Sequence, residues 1–360
     1  MESPVNINVR VLRAKDNLQE NHMRQIVFMT LASDDRVSCW DIESSTGKLS
    51  LLSQTTVDGR PAPLAVDTQS RFLYIGRRDI PRVSSYRFDP ENGNIEHHAD
   101  GPVLQGDPCY LSLDKTSKYL LSAYYSAGAV SVHELKNGAF EGWSDWIPTG
   151  NGAHCVMTDS SNTFAMLPHI AGEHGINTIR LFKFNDSTGE LSPNDPSEMG
   201  QPDNRGPRHY TFHPSGRFVY FSNEQECSVT AYSFDSSSGA IKEVQTESTL
   251  PMHYGGVNSC AQIRVTPDGR YLYAPNRGHN SLAGFSVDSC YGNLRQIGRT
   301  STEAIPRVLD IDTTGKYLYS AGLETGHVSA FRIMDNGSLE LIDRYQVGNE
   351  PMWIQVVPAE

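Results

Sequence analysis

The chain of 360 residues carries 30 Lys plus Arg against 42 Asp plus Glu, an acidic balance that argues against a dedicated nucleic-acid or anionic-membrane binder, because either needs a basic face. No run approaches the roughly 18 apolar residues of a membrane-spanning helix, and the start, Met1-Glu2-Ser3-Pro4, lacks the basic region and apolar core of a signal peptide. The cysteines at 39, 109, 155, 227, 260 and 290 form no C-x-x-C pair, and a chain this long needs no disulfides, so they are expected to be free thiols of a reducing cytoplasm.

In chain order, residues 1–22 are polar, lie outside any repeat and are expected to form an N-terminal extension. Residues 26–29, 36–41 and 49–52 follow as three strand signals rich in Val, Phe and Leu. A repeating unit then begins: Pro61-Ala62-Pro63-Leu64-Ala65-Val66-Asp67, Arg71-Phe72-Leu73-Tyr74, Val83-Ser84-Ser85-Tyr86, and a turn at Gly93. The next unit opens at Pro108 and continues through Lys118-Tyr119-Leu120-Leu121. A degenerate copy starts at Ala153, and further copies start at Pro207, Cys260 and Pro306. The last first strand, from Pro351 to Val357, has no second strand after it; residues 26–52 are the strands it lacks.

The first strands end at 67, 114, 159, 213, 266, 312 and 357, at intervals of 45 to 54 residues. Four strands per unit at that period predict an all-β, seven-bladed β-propeller over residues 23–360, closed by N-terminal strands pairing with the C-terminal strand. Such closure removes the sheet edges that invite aggregation.

The same register locates a candidate site. First strands line the channel and second strands run back beside them, so the start of one and the end of the other share a mouth. The position after the repeat's Pro reads Ala62, Cys109, His154, Arg208, Ala261, Arg307 and Met352. The position closing the second strand reads Arg78, Tyr125, His169, Glu224, Arg277 and Leu323. Positions that only pack should repeat their residue in every blade. These two instead bring Arg, His, Glu and Tyr to one mouth, as expected of a site grafted on a symmetric scaffold. Guanidiniums suit a carboxylate, a phosphate or a developing oxyanion, and Glu224 or His154 could act as general base or acid. His209 and His213 are expected to be structural. The stretch Pro168-His169-Ile170-Ala171-Gly172-Glu173-His174-Gly175 matches no compact zinc motif and is expected to be a polar loop over the mouth. No G-x-S-x-G elbow, P-loop or H-E-x-x-H is present.

Gly206-Pro207-Arg208-His209, Phe212-His213-Pro214, Asn223-Glu224, Thr266-Pro267-Asp268-Gly269-Arg270, Asn276-Arg277 and Gly348-Asn349-Glu350-Pro351-Met352-Trp353 together resemble the seven-bladed β-propeller lactonases. That family is typified by bacterial propeller-type 6-phosphogluconolactonases, with fungal carboxy-cis,cis-muconate cyclase as a relative. The resemblance runs from about residue 25 to the C-terminus and implies a catalytic set of His154, Arg208, Glu224 and Arg277. Arg78, Tyr125, His169 and Arg307 are expected to bind substrate. The activity implied is hydrolysis of a sugar-acid lactone, with a small anionic lactone as partner and with no metal or cofactor required. A muconate-type cycloisomerase on the same scaffold and a non-catalytic interaction disc are the alternatives. Oligomeric state has no signal in the sequence.

Overall fold

A computed structural model describes residues 23–172 and 175–359; the expected extension over residues 1–22, and Glu173 and His174 of the expected loop, lie outside the described residues. The chain folds into seven antiparallel sheets, and one short 3-10 turn, Ala32–Asp34, is the helical element among the described residues. Six sheets are built from strands consecutive in sequence. The seventh joins Pro351–Pro358 to Gln25–Leu31, Arg36–Ile42 and Leu49–Thr56, with Ile26 opposite Val357 and Thr30 opposite Trp353. The two ends of the chain therefore share one sheet, as the split repeat predicts.

Burial falls from the axis outward. The second strand of the sixth blade, Tyr317–Gly322, is buried throughout, whereas its fourth strand, Leu339–Gln346, is mostly exposed. First strands of neighbouring blades contact one another around the axis. Blades are also joined by hydrogen bonds. The second-strand tyrosines Tyr220, Tyr273 and Tyr319 donate to the backbone carbonyls of Gly292, Gly337 and Gly47 in the next blade, at 3.2, 2.8 and 2.9 Å. Those turns require glycine. Gly47 has φ +75°, and a Cβ there would lie 2.3 Å from the Tyr317 ring, which no real side chain tolerates.

The turn from first to second strand is closed by a buried acceptor. Asp312 Oδ1 accepts the backbone N–H groups of Lys316 and Tyr317, both at 2.7 Å. Asp67, Asp114 and Asp159 do the same for their own blades. Acceptors placed on otherwise unpaired backbone donors fix where each second strand begins.

Candidate active site

At the opposite ends of these strands the ladder slips by one residue. Pro207 pairs with Asn223 but His209 pairs with Ser222, leaving Arg208 as the extra residue of a β-bulge. Arg307 lies in the equivalent bulge between Pro306 and Val308, and Met352 lies between Pro351 and Trp353. His154 follows the same offset, since Ala153 bridges His169 while Met157 pairs with Met166. A bulge adds one residue to one strand and turns its side chain out of the regular alternation. Here it aims residues of the first strands into the mouth.

The result is a cleft of about 280 Å³ lined by Arg78, Cys109, Tyr125, His154, Ile170, Arg208, Glu224, Arg277 and Arg307. It lies just below the ~300–1,000 Å³ typical of small-molecule sites, a size for one sugar rather than a chain of them. Ala32, Ala62, Leu323 and Met352 pack together as a separate apolar cluster.

Glu224 is the hub. Its Oε2 lies 2.6 Å from Arg208 Nε and its Oε1 lies 3.1 Å from Arg277 Nη2. The same Arg277 nitrogen donates to the Cys260 carbonyl at 2.7 Å. Burial alone would raise the Glu224 carboxyl, but Arg208 and Arg277 outweigh it and hold the group below its usual range. Arg208 is itself drawn down to about 10, because burial outweighs the attraction of Glu224 and Arg277 adds repulsion. Arg307 is lowered to about 9, first by burial and then by Arg208 and Arg277. Arg208 and Arg307 both remain protonated near neutrality, and their depressions mark a site short of negative charge. Two buried donors, Arg208 Nη1 and Arg277 Nε, have no hydrogen-bond partner among the described residues. Arg78 is paired, its Nε donating to Asp107 at 2.9 Å.

His154 is buried, and burial, then Arg208, then Arg307 push its imidazole well below the usual histidine range, so it is neutral. Its Nδ1 lies 3.2 Å from His209 Nε2, and the Tyr125 ring stands 5.8 Å away, centroid to centroid.

His169 does not join this group, which corrects the sequence expectation. Its ring is fully buried, with Nδ1 3.0 Å from the Leu167 carbonyl and Nε2 3.0 Å from Thr149 Oγ1. The residue at the mouth is Ile170. Ile170 N–H donates to the Gly152 carbonyl, just as Glu224 N–H donates to Gly206, Arg78 to Arg60 and Leu323 to Ile305. Counting four residues from Met166, the equivalent of Tyr74 and Tyr220, gives 170 rather than 169, and a slip of one residue in a strand reverses the facing of a side chain. His169 instead occupies the position of Asn276, which bonds Thr249 as His169 bonds Thr149. Of the Pro168–Gly175 stretch, Pro168 and His169 belong to the strand Phe164–His169, and Ala171 N–H is held by Gln225 Oε1 at 3.0 Å. The pairing of Asp107 with Arg78 and the contact of His209 with His154 have no sequence signal, since both depend on distances between blades.

A family model described as "Lactonase, 7-bladed beta-propeller" matches residues 26–356. A 6-phosphogluconolactonase of Pectobacterium carotovorum is 35% identical over 340 residues, covering 94% of this chain and 100% of the relative. Another 6-phosphogluconolactonase, from an Enterobacter species, is 32% identical over 335 residues, covering 93% of this chain and 99% of the relative. The solved structure of a Pseudomonas aeruginosa periplasmic gluconolactonase superposes with a TM-score of 0.85 at 22% identity, covering 94% of this chain and 100% of that one, a likeness of fold. With its seven blades, its closure and the match over nearly its whole length, this chain belongs to the seven-bladed β-propeller lactonase family.

Proposed function

We propose that this protein hydrolyses 6-phosphogluconolactone, or a closely related sugar-acid lactone, to the free acid. The observation that carries the reading is a buried guanidinium cluster with donors, Arg208 Nη1 and Arg277 Nε, that lack acceptors among the described residues. Buried donors of this kind are costly unless a ligand supplies oxygens. Four guanidiniums against the carboxylates of Glu224 and Asp107 leave a net charge of +2, the complement of a phosphate dianion.

In this scheme water attacks the lactone carbonyl carbon while Glu224 or His154 accepts its proton. Arg208 and Arg277 stabilise the tetrahedral oxyanion. Collapse breaks the bond between the carbonyl carbon and the ring oxygen, and the base returns the proton it took from water to that oxygen, which leaves as a hydroxyl. Arg78 and Arg307 are assigned to the phosphate, and Tyr125 to the sugar. A cytoplasmic, reducing setting belongs to the same proposal and accords with six cysteines that are all free thiols.

The test is a pH-stat panel of 6-phosphoglucono-, glucono-, galactono- and muconolactones, corrected for spontaneous hydrolysis. The phosphorylated lactone should have the highest kcat/KM. Arg307→Ala should raise its KM about 10- to 100-fold, the value of a hydrogen bond to a charged group, with little change for gluconolactone. Equal loss on both lactones would remove Arg307 from the phosphate, and turnover of muconolactone alone would favour the cycloisomerase.

A further inference from the structure

His209 follows the bulge residue Arg208 and resumes the regular ladder opposite Ser222. It is absent from the cleft lining and sits below it, 2% exposed, on the wall of a small void shared with His154, Met352 and Trp353. Its ring packs edge to face on Tyr110 at 5.1 Å and 89°. Its Nε2 lies 3.2 Å from His154 Nδ1, while its Nδ1 is buried without a partner among the described residues. Both imidazoles are neutral, pushed far below the usual range by burial first and by Arg208 next. Each ring therefore carries one N–H, and a single proton lies between them.

Two arrangements are open to that proton. If His154 donated from Nδ1, His209 would have to carry its own hydrogen on Nδ1, where it has no acceptor. If His209 donates from Nε2, its Nδ1 is a bare lone pair among aromatic rings. Orphaned buried N–H groups are the rarer outcome in proteins. We propose that His209 is a positioning residue: it donates Nε2–H to His154 Nδ1, fixing His154 with its proton on Nε2, the nitrogen left for the cleft. This rests on the lactonase reading and sharpens it. His154 is then a hydrogen-bond donor to the carbonyl oxygen as that oxygen gains charge, and Glu224 is the group that takes the proton from water.

The tautomer can be read without turnover. In the full chain labelled with [15N]histidine, long-range 1H–15N spectra distinguish protonated from bare ring nitrogens, and His154→Gln and His209→Gln assign the two rings. Both should be protonated on Nε2. A protonated Nδ1 on His154 overturns the proposal, even if every lactone is hydrolysed; the expected tautomer with no lactone hydrolysed would leave the positioning intact and sink the activity instead. Kinetics add a second test. His154→Gln keeps an N–H donor but no basic nitrogen, so it should retain more kcat than His154→Ala; equal loss in the two would make His154 the base. His209→Leu should lower kcat about 10- to 100-fold, as loss of an orienting partner does elsewhere, with KM little changed and part of the rate restored in His209→Gln. Equal loss in both His209 variants, with the His154 tautomer unmoved, would leave His209 a packing residue. Should His209→Leu fail to fold, the wild-type spectrum decides alone.

Discussion

The two ends of the inner strands obey opposite rules. At the turn from first to second strand, four blades place an Asp that accepts the same pair of backbone N–H groups. Thr266 in the fifth blade still accepts one of that pair, from Tyr271 at 3.0 Å, whereas His213 in the fourth accepts from Ser215 inside the turn, at 3.1 Å. At the mouth, the equivalent bulge position is Ala62, Cys109, His154, Arg208, Ala261, Arg307 or Met352, and no two neighbouring blades repeat a residue. One end closes its turn on a side-chain acceptor in the six blades whose first and second strands are consecutive in the chain. The other end has no backbone task once the bulge is formed, so each blade can carry a different chemical group.

Exchanging the roles of the two ends should fail, and the largest expected failure is at Glu224. Glu224→Gln should lower kcat about 10²–10⁴-fold, the loss typical of a general base, with the melting temperature near wild type. Since Arg208 and Arg277 keep its carboxyl below the ordinary 4.5, the acid limb of the wild-type pH–rate profile should fall below that value. The carboxylate is ionised, and the base available, at any higher pH. A limb above 4.5 would take the base role away from Glu224.

Arg208→Ala and Arg277→Ala should cost about 10²–10³-fold in kcat, the range for removing one oxyanion donor. KM should rise as well, because both also belong to the four-guanidinium cluster whose net positive charge holds the anionic substrate before reaction. Lys at either position should rescue only part of the loss, lacking the guanidinium fork. A melting temperature lowered as much as activity would make these residues structural pairs.

The opposite end should respond in the opposite sense. Asp312→Ala strands the backbone donors of Lys316 and of buried Tyr317 and should cost about 3 kcal/mol of stability, at one to two charge-assisted hydrogen bonds. Thermal or denaturant unfolding should report that loss, while kcat and KM stay at wild-type values. An activity loss without a stability loss would break the division between the two ends.

The smallest effect is expected at His169, which sits beside the mouth yet faces into its blade. His169→Asn copies Asn276 and should leave kcat, KM and melting temperature nearly unchanged. A raised KM would return His169 to the site.

The sequence by itself determined the blade count, the closure and the mouth. Repetition at Pro61, Pro108, Pro207 and Pro306 and the missing strands after Val357 are patterns along the chain, and a seven-fold scaffold turns position along the chain into position in space. It also singled out His154, Arg208, Glu224 and Arg277, because unlike residues at like positions are visible without coordinates. Only the tertiary structure decided that Ile170 and not His169 meets the cleft. Side chains in a strand reverse facing at every residue, so in the degenerate third blade a count short by one picks the wrong side. The bulge at Arg208, the sharing of Glu224 by two guanidiniums, and the contact between His154 and His209 were equally hidden. Each depends on ångström-scale distances between strands, 2.6 Å for Arg208 with Glu224 within one blade and 3.2 Å for the two imidazoles across neighbouring blades, and these arise only when the strands pair and the blades pack together.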